Sequence, residues 1–573
     1  MSTNDGEATL ETAPGDRRAD HVAPDCRGAD FWELDPSLRR LLPLHLAPPL
    51  LHHLEPALRR LGVLAGGRLD ELAAAADRNP PVLHPRDRQG RDREWIEYHP
   101  AYREMEALAF GELGLHAMSH RGGVLGWPDP LPAVAKYAFQ YLFVQAEFGL
   151  MCPVSVTDTS IHLVRRFGSD ELRARLLPRM LSQDLDTLWK GTQFMTERAG
   201  GSDVGAIESV AERDGDSWRL WGEKWFCSHA DADVALLLAR PRGAPPGTAG
   251  LALFAMPRHL EDGGRNAYRI VRLKDKLGTR SMASGEILLE GAAAWLVGDE
   301  RRGFRQMMEQ VSLSRLSHGV RAAAMMRRAW NEARTAARGR RAFGRRLDQM
   351  PMVRRQLLEI LLPAEQALSL SLYAAAAMDA AGEELRILTP LLKLRACRDN
   401  LGVATAAMEI RGGNGYIEEW VNARLVRDAQ IGVIWEGTSN IVALDAVTRA
   451  AAKENAHHAL ARALHRMLDA APAAPGELSA AARSSLDRAV ALVGRVGAEG
   501  GLETQARRAA SALYHAASAA VFLWEGARLG GENAARRWFL ADLVLRFRLA
   551  PDDPLDVRGD PGADAAAAAA LLD

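Results

Sequence analysis

Residues 195–204 read Met-Thr-Glu-Arg-Ala-Gly-Gly-Ser-Asp-Val, and this stretch decides how the rest of the chain is interpreted. It is rich in glycine and carries two hydroxyl groups, on Thr196 and Ser202. Gly200 and Gly201 have no Cβ, so their backbone can approach a ligand closely. Successive N–H groups in such a turn form a concavity that suits anions. The stretch therefore predicts a binding turn for a phosphate-bearing ligand.

A second stretch places one carboxylate between an indole and a flexible dipeptide. It begins with Arg427-Asp428-Ala429 and continues as Ile-Trp-Glu-Gly-Thr-Ser-Asn-Ile over 434–441. A carboxyl group in a dry pocket has a raised pKa and becomes a competent base. Thr438 suits the N-cap of a helix that begins near Ser439. Because a helix N-terminus favours the anion, the sequence leaves the pKa of Glu436 open.

The spacing of apolar residues divides the chain into successive folded parts. Residues 31–190 and 301–450 have helical spacing, and 451–550 is a further helical region. Residues 191–300 contain six short strand-like runs without intervening helices, which indicates a small antiparallel barrel or sandwich. The predicted fold class is mostly α with a small β domain. We expect a disordered segment over 1–30 and a flexible tail over 551–573.

The domain order and the two stretches together resemble the acyl-CoA dehydrogenase family, over roughly residues 80–450. The resemblance implies a helical domain, a β-barrel domain and a helical bundle, with FAD bound between the last two. It also implies that Glu436 removes the α-proton of an acyl-CoA thioester. The family uses no G-x-G-x-x-G turn, and no convincing fingerprint of that kind follows a strand here.

The same resemblance implies which residues contact FAD. Met195 and Thr196 would face the isoalloxazine ring, and Ser202 would face the phosphates. Phe226 stands where the family commonly has Trp, and Ser228 would donate to flavin N5. In relatives, the segments that correspond to 340–344 and 412–415 reach the FAD of a neighbouring subunit, which implies an oligomer, in the form of a homotetramer. The full set is Met195, Thr196, Gly201, Ser202, Phe226, Ser228, Arg340, Phe343, Gly412, Gly413, Thr438 and Asn440.

Finer motifs are similar to those of the AidB-like branch, which is named for a bacterial alkylation-response protein. They lie at 90–102, 200–203 with 224–226, and 272–278. In that branch an added C-terminal helical domain is implicated in binding duplex DNA, and residues 451–550 match it in place and size. Clustered cations would replace the counterions on the phosphates. The candidate DNA contacts are Arg449, Lys453, Arg507, Arg508, Arg536 and Arg537.

Composition excludes several other classes of protein. The 72 Lys and Arg residues balance 73 Asp and Glu residues, so net charge indicates neither nucleic acid nor membrane. Four scattered cysteines without a C-x-x-C pair argue against a zinc or disulfide framework and favour the cytoplasm. No metal site is predicted. No apolar run is long enough to span a bilayer, and the first residues lack the apolar core of a signal peptide.

Three hypotheses remain open from the sequence. The first is an AidB-like flavoprotein with weak dehydrogenase activity on a short or branched acyl-CoA and with DNA binding. The second is a conventional acyl-CoA dehydrogenase or oxidase for longer chains, whose C-terminal helices dock substrate or a membrane through residues such as Trp524 and Phe539. The third is a flavin-stabilised scaffold without turnover.

Overall fold

A computed structural model describes residues 22–551, Leu555 and 561–572. Its first part is helical, with one β-hairpin. Asp35 and Ser169 cap the first and last of these helices, because each side chain accepts a hydrogen bond from a backbone N–H of the first turn. The elements are α1 Pro36–His45, α2 Pro48–Gly66, α3 Arg68–Arg78, β1 Val82–Arg86, β2 Asp92–Glu97, α4 Pro100–Glu106, α5 Ala133–Val144, α6 Met151–Phe167 and α7 Asp170–Met180.

The β domain follows as a mixed sheet that closes on itself. Its strands are β3 Gly191–Phe194, β4 Val210–Asp214, β5 Ser217–Ser228, β6 Val234–Pro241, β7 Ala252–Pro257, β8 Tyr268–Leu273 and β9 Ser284–Leu296. The strand order is β3-β6-β4-β5-β9-β7, β8 pairs with β9, and a β6–β7 pairing closes the barrel. The predicted β domain is confirmed, but the antiparallel prediction is wrong in part. β3 and β4 each pair with β6 in parallel.

A helical bundle and a hairpin come next. The elements are α8 Gly303–Gly339, β10 Arg341–Ala342, β11 Arg345–Arg346, α9 Pro351–Asp379, α10 Leu385–Arg411, α11 Val421–Gly432 and α12 Ser439–Leu444. α8 is the central helix of the bundle, and most of its side chains between Ser314 and Ala333 are buried. Gly412 ends α10 at φ 76°, a conformation that favours glycine. One helix, α9, is long and apolar enough to span a membrane, but 94% of its apolar window is buried inside the protein.

The C-terminal helices dock on the bundle through buried polar contacts. They are α13 Ala456–Asp469, α14 Gly476–Ala498, α15 Ala506–Leu529, α16 Gly531–Val544 and α17 Pro561–Leu572. Gln366 of α9 donates to the Ser518 hydroxyl of α15 at 2.6 Å, and Ser369 donates to Glu525 at 2.9 Å. Phe539 packs against the main core, and the Trp524 ring lies 5.7 Å from that of His45. These two side chains therefore do not form the projecting apolar face that membrane docking requires.

Parts of both segments that were predicted to be disordered or flexible have a defined structure. Residues 1–21 lie outside the described residues, but Ala23 and Cys26 are buried, and Arg411 donates to the Ala23 carbonyl at 3.2 Å. In the predicted tail, Ala567 and Leu571 of α17 are buried. These contacts supply the enthalpy and apolar burial that offset the ordering of each segment. The hairpin β1–β2 also interrupts the N-terminal region that was predicted to be helical.

Candidate active site

Glu436 lies in the turn before α12, and two elements, β3 and α8, hold it there. Gln193 of β3 donates to Glu436 Oε1 at 2.7 Å, and Ser314 of α8 donates to the same oxygen at 2.9 Å. Arg315 Nε donates to the backbone carbonyl of Glu436 at 3.1 Å. Glu436 has φ 54°, a strained conformation for a residue with a side chain. The surrounding contacts therefore fix a carboxylate in one orientation at a costly backbone position.

Burial raises the pKa of Glu436 above its usual value. The hydrogen bond from Ser314 and the charges of Arg315, Lys393 and Arg321 oppose this rise without cancelling it. The direction that the sequence left open is therefore upward. A raised pKa is the property that a general base needs near neutral pH.

Apolar and aromatic side chains pack on Trp435, the residue before Glu436 in the chain. Trp435 packs with Cys152, Val156 and Met282 in a small cluster separate from the main core. The Trp435 ring also stacks on Phe148, at 6.2 Å between centroids and 9° between planes. Such a lining keeps water away from the base and leaves apolar surface for an aliphatic chain.

The 195–204 turn is anchored by a buried ion pair that the sequence pattern did not reveal. Lys224 Nζ donates to Glu197 Oε1 at 2.5 Å, and both side chains are buried. Glu197 Oε2 accepts from the backbone N–H of Glu208 and Ser209 at 2.6 and 3.1 Å. The conformation of the turn therefore depends on Glu197, which satisfies three donors at once.

The two glycines of this turn have different roles. A Cβ on Gly200 would lie 2.8 Å from the Asp203 carbonyl oxygen, so glycine is needed there by the turn itself. A Cβ on Gly201 would meet only Thr196 Cγ2, at 3.5 Å. Gly201 and Ser202 are exposed, which leaves their backbone and hydroxyl groups accessible to a ligand.

Phe226 and Ser228 lie at the end of β5, next to the same turn. The N–H of Trp225 donates to the Thr196 carbonyl at 2.8 Å, and Met195 packs on the β-domain core. Phe226 is 58% exposed, so an aromatic face is presented beside the turn. Thr192 donates to the Ser228 carbonyl at 2.6 Å, while its neighbour Gln193 holds Glu436. β3 therefore connects the flavin-side residues to the candidate base.

Arg340 and Gly412 meet, whereas Phe343 points away from the protomer. Arg340 Nη1 lies 2.8 Å from where a Cβ on Gly412 would be, and Gly413 has open space around its Cα. Phe343 is 97% exposed at the tip of the β10–β11 hairpin. Met352 and Tyr416 are 86% and 79% exposed. These residues do not fold back onto Glu436 within one chain.

Thr438 and Asn440 are exposed at the start of α12. Thr438 occupies the N-cap position as predicted, but its side chain makes no capping hydrogen bond. Its hydroxyl is therefore accessible to a ligand. The 427–429 part of the motif is structural, because Arg427 pairs with Asp77 and Glu418 while Asp428 accepts from the Thr279 N–H at 2.6 Å.

The residues that resemblance assigned to FAD have the chemistry that this cofactor requires. They present an aromatic face at Phe226, unused hydroxyls at Ser202 and Thr438, and an exposed arginine at Arg340. An arginine fork suits a pyrophosphate. The residues present therefore fit FAD.

The structure buries one of the predicted DNA contacts, leaves a second partly exposed and exposes the other four. Arg537 is 3% exposed and pairs with Glu365 at 2.8 Å and Glu525 at 3.5 Å, because it attaches α16 to α9. Arg536 donates to the Leu571 carbonyl at 2.9 Å and is only partly exposed. The exposed candidates are Arg449, Lys453, Arg507 and Arg508.

Gln193, Ser314 and Arg315 were not predicted from the sequence. Each reaches Glu436 from a distant element, so no local motif reveals it. One signal was present: α8 carries polar residues at helical spacing, at Ser314, His318 and Arg321. That pattern is typical of a helix whose buried face lines a site.

Comparison with known proteins agrees with this architecture. Residues 22–187 match the adaptive response protein AidB N-terminal domain, 192–292 match the acyl-CoA dehydrogenase middle domain, and 301–452 match the acyl-CoA dehydrogenase C-terminal domain. The putative acyl-CoA dehydrogenase AidB of Escherichia coli (strain K12) is 37% identical over 394 residues, which cover 65% of this chain and 70% of that protein. Acyl-CoA dehydrogenase family member 11 of Caenorhabditis elegans is 32% identical over 457 residues, or 76% of this chain and 72% of that protein.

Solved structures extend the similarity to the C-terminal helices. Caenorhabditis elegans ACDH-11 in complex with C11-CoA has a TM-score of 0.85 at 26% identity, covering 96% of this chain and 95% of that one. The apo form of Bd2924 has a TM-score of 0.79 at 29% identity, covering 88% of this chain and 99% of that one. The chain therefore belongs to the acyl-CoA dehydrogenase family, in its AidB-like branch.

Proposed function

We propose that this protein is an FAD-dependent acyl-CoA dehydrogenase in which Glu436 is the base. The observation that carries the proposal is the Glu436 carboxylate, fixed by Gln193 and Ser314, enclosed by apolar residues and given a raised pKa by burial. The C11-CoA complex of the structurally similar ACDH-11 supports an acyl-CoA ligand.

Each residue of the site has a defined part in this reaction. FAD bound beside Phe226 and Ser228 would supply the acceptor for the β-hydride. Glu436 takes the α-proton, so a carbon–carbon double bond forms between the α and β positions of the thioester. Gln193 and Ser314 orient the receiving oxygen, and Trp435 with Cys152 excludes water. The hydroxyl of Ser228 contributes a hydrogen-bond donor at the flavin edge.

Purified protein reconstituted with FAD tests this function. We expect a bound-flavin absorption spectrum and loss of the visible flavin band on anaerobic addition of an acyl-CoA from a panel of chain lengths. Bound flavin that no acyl-CoA bleaches would favour the scaffold hypothesis instead. A protein that retains no flavin would contradict the proposal altogether.

Exposed apolar residues support the proposal of a homo-oligomer, specifically a tetramer built from dimers. Phe343, Met352 and Tyr416 have 97%, 86% and 79% of their surface exposed, and Ile417 has 45%. Exposed apolar clusters mark protein interfaces. Light scattering should give a tetrameric mass, and Phe343→Ser should weaken both assembly and FAD retention. A monomer with full FAD affinity would contradict this.

The cysteines support a reducing, cytoplasmic location, because Cys26, Cys152, Cys227 and Cys397 are all free and buried.

A narrower DNA-binding proposal rests on the exposed cations. Arg507 and Arg508 are exposed at the start of α15. Burial is the main cause that lowers the pKa of Arg398, and the charge of Arg507 is the second, so these two arginines lie near each other. The cations thus cluster, as phosphate binding requires. Gel shifts across a salt series should show sequence-independent binding that Arg507→Glu with Arg508→Glu abolishes. Arg488→Glu with Arg495→Glu, on exposed positions of α14, is the matched control. No binding at low salt would end this proposal.

A further inference from the structure

One buried charge beside the candidate active site has no counter-ion. Arg321 of α8 is 1% exposed, and no carboxylate of the described residues lies within 4.0 Å of its guanidinium. Its Nε and Nη1 atoms are buried without any hydrogen-bond partner. Arginine stays protonated in proteins, so a full positive charge is buried here. Uncompensated buried charges are costly and mark sites where a partner is missing.

Neighbouring buried arginines on the same helix each have a carboxylate partner. Arg315 pairs with Asp445, Arg327 pairs with Asp35 and Glu365, and Arg328 pairs with Asp70 and Glu332. All three of these cations are buried to a similar degree as Arg321. Arg321 is therefore the exception among these four, and its guanidinium lies against Trp435 and Phe148.

The protein partner of Arg321 is a neutral ring. His318 Nδ1 lies 2.8 Å from the Ser314 carbonyl and donates to it, which leaves Nε2 as an acceptor for Arg321 Nη2 at 3.2 Å. Burial and the Arg321 charge lower the pKa of His318 well below its usual value, so the imidazole carries no charge. This single neutral acceptor leaves the Nε and Nη1 donors of the guanidinium unpaired.

The guanidinium lies against the aromatic pair beside Glu436. Its carbon lies 5.8 Å from the centroid of Trp435 and 5.4 Å from that of Phe148, which stack on each other. Trp435 is also the residue next to Glu436 in the chain. An anion that enters along Trp435 would therefore reach both the base region and the free donors of Arg321.

We infer that Arg321 recognises a carboxylate at the far end of the acyl chain, so that the substrate is a CoA monothioester of a dicarboxylic acid. The inference rests on the proposed function and adds the substrate class. An arginine fork binds a carboxylate through two parallel hydrogen bonds. A substrate carboxylate would thus supply the counter-ion that Arg321 lacks among the described residues.

Helix geometry sets the length of the chain. Ser314 holds the Glu436 carboxylate, and His318 contacts Arg321. These two residues of α8 are four positions apart, which is about 6 Å along the helix. An extended chain covers roughly 1.2 Å per bond, so about five bonds separate the α-carbon from the carboxylate. Adipoyl-CoA and pimeloyl-CoA have this reach.

Matched thioesters test the inference on the FAD-reconstituted protein. Anaerobic flavin perturbation should give a dissociation constant for adipoyl-CoA at least tenfold lower than for hexanoyl-CoA, which has the same length and a methyl end. Pimeloyl-CoA and heptanoyl-CoA should differ in the same direction. Arg321→Met should remove this preference, mainly by weakening adipoyl-CoA, and Arg321→Lys should retain part of it.

Arg334→Met is the matched control. Arg334 lies on the same helix and has a pKa lowered by burial and by Arg338, but its neighbours are Arg338 and Arg536 rather than the pocket. The Arg334→Met variant should leave the dissociation constants of adipoyl-CoA and hexanoyl-CoA unchanged. Equal affinities in the wild-type protein, or a preference that survives Arg321→Met, would overturn the inference while the proposed function stood. If neither series perturbs the flavin, the proposed function fails as well. Should Arg321→Met not fold, the wild-type ratio and Arg321→Lys decide.

Discussion

At the scale of single residues, the site depends on how one carboxylate is held. The backbone of Glu436 is strained at φ 54°. Hydrogen bonds from Gln193, Ser314 and Arg315 offset this conformational energy. Ser314 has a second effect, because its hydrogen bond favours the anion and lowers the pKa that burial has raised. Burial raises the pKa of Glu436 and the Ser314 hydrogen bond lowers it, so Ser314 helps to set the pH at which Glu436 loses its proton.

Ser314→Ala should therefore move the pH dependence of flavin bleaching. The base form of Glu436 is needed, so the bleaching rate rises with pH as the carboxyl group deprotonates. Without the Ser314 hydrogen bond the pKa of Glu436 rises further, and the acid limb of the profile should shift to higher pH. Initial rates with one acyl-CoA across a pH series measure this shift.

Ser312→Ala is the control, because Ser312 donates to the Met308 carbonyl at 3.0 Å and does not contact Glu436. Its profile should match that of the wild-type protein. A shift of the acid limb to lower pH in Ser314→Ala would contradict the assignment of Ser314.

Residue-scale prediction from sequence was possible where a local motif existed. Glu436, Thr438 and the 195–204 turn are each recognisable within about ten consecutive residues. Ser314 and Arg321 were missed because their roles arise only when α8 packs against the turn before α12. The helix N-terminus at Thr438 was expected to lower the pKa of Glu436 and burial to raise it. Which effect is larger depends on the residues around Glu436, which the sequence does not show.

At the scale of elements, the binding turn and the strand β5 are joined by Glu197 and Lys224. This pair is buried and also receives two backbone N–H groups. Removing one partner of a buried pair leaves an uncompensated charge, whereas removing both charges is far less costly. The conformation of the turn that we propose faces FAD therefore depends on a contact within the protein.

Lys224→Met should lower the melting temperature and the affinity for FAD together. The expected loss of stability is about 3–5 kcal/mol, as for other broken buried pairs. The double variant Lys224→Met with Glu197→Gln should recover much of the loss, because the unpaired carboxylate is then neutral. Thermal melts and flavin titration measure both quantities, and a double variant worse than the single one would argue against this account.

Prediction of the elements depended on their local patterns. The six strand-like runs are found as β4 to β9, because alternation and turn residues are local signals. β3 was missed because Gly191–Phe194 is short and lacks alternation. The parallel pairings of β6 were missed because pairing direction is decided by the closure of the barrel.

At the scale of the whole molecule, the C-terminal helices are part of one folded unit with the bundle. Arg537 connects α16 to Glu365 of α9, and Glu365 is in turn paired with Arg327 of α8. A sequence cannot separate such an arginine from an exposed one, since both stand in basic doublets. The structure separates them by burial, and this changes which residues can meet DNA.

Arg537→Met should therefore destabilise the protein, whereas Arg508→Met should not. Loss of Arg537 leaves Glu525 without a cation and costs about 3 kcal/mol or more, as expected for a buried pair. An exposed substitution such as Arg508→Met should stay within about 0.5 kcal/mol. Thermal melts of both variants give the comparison, and equal melting temperatures would contradict the docking role of Arg537.

The central claim is that Glu436 is the base of a flavin-dependent acyl-CoA oxidation. The most direct test is anaerobic bleaching of the FAD-loaded protein by an acyl-CoA that reduces the wild-type flavin, repeated with Glu436→Gln. The amide keeps the shape of the side chain and removes its basicity, so FAD content should be unchanged while the bleaching rate falls by ~10²-fold or more. Bleaching at the wild-type rate in Glu436→Gln would show that another group removes the α-proton.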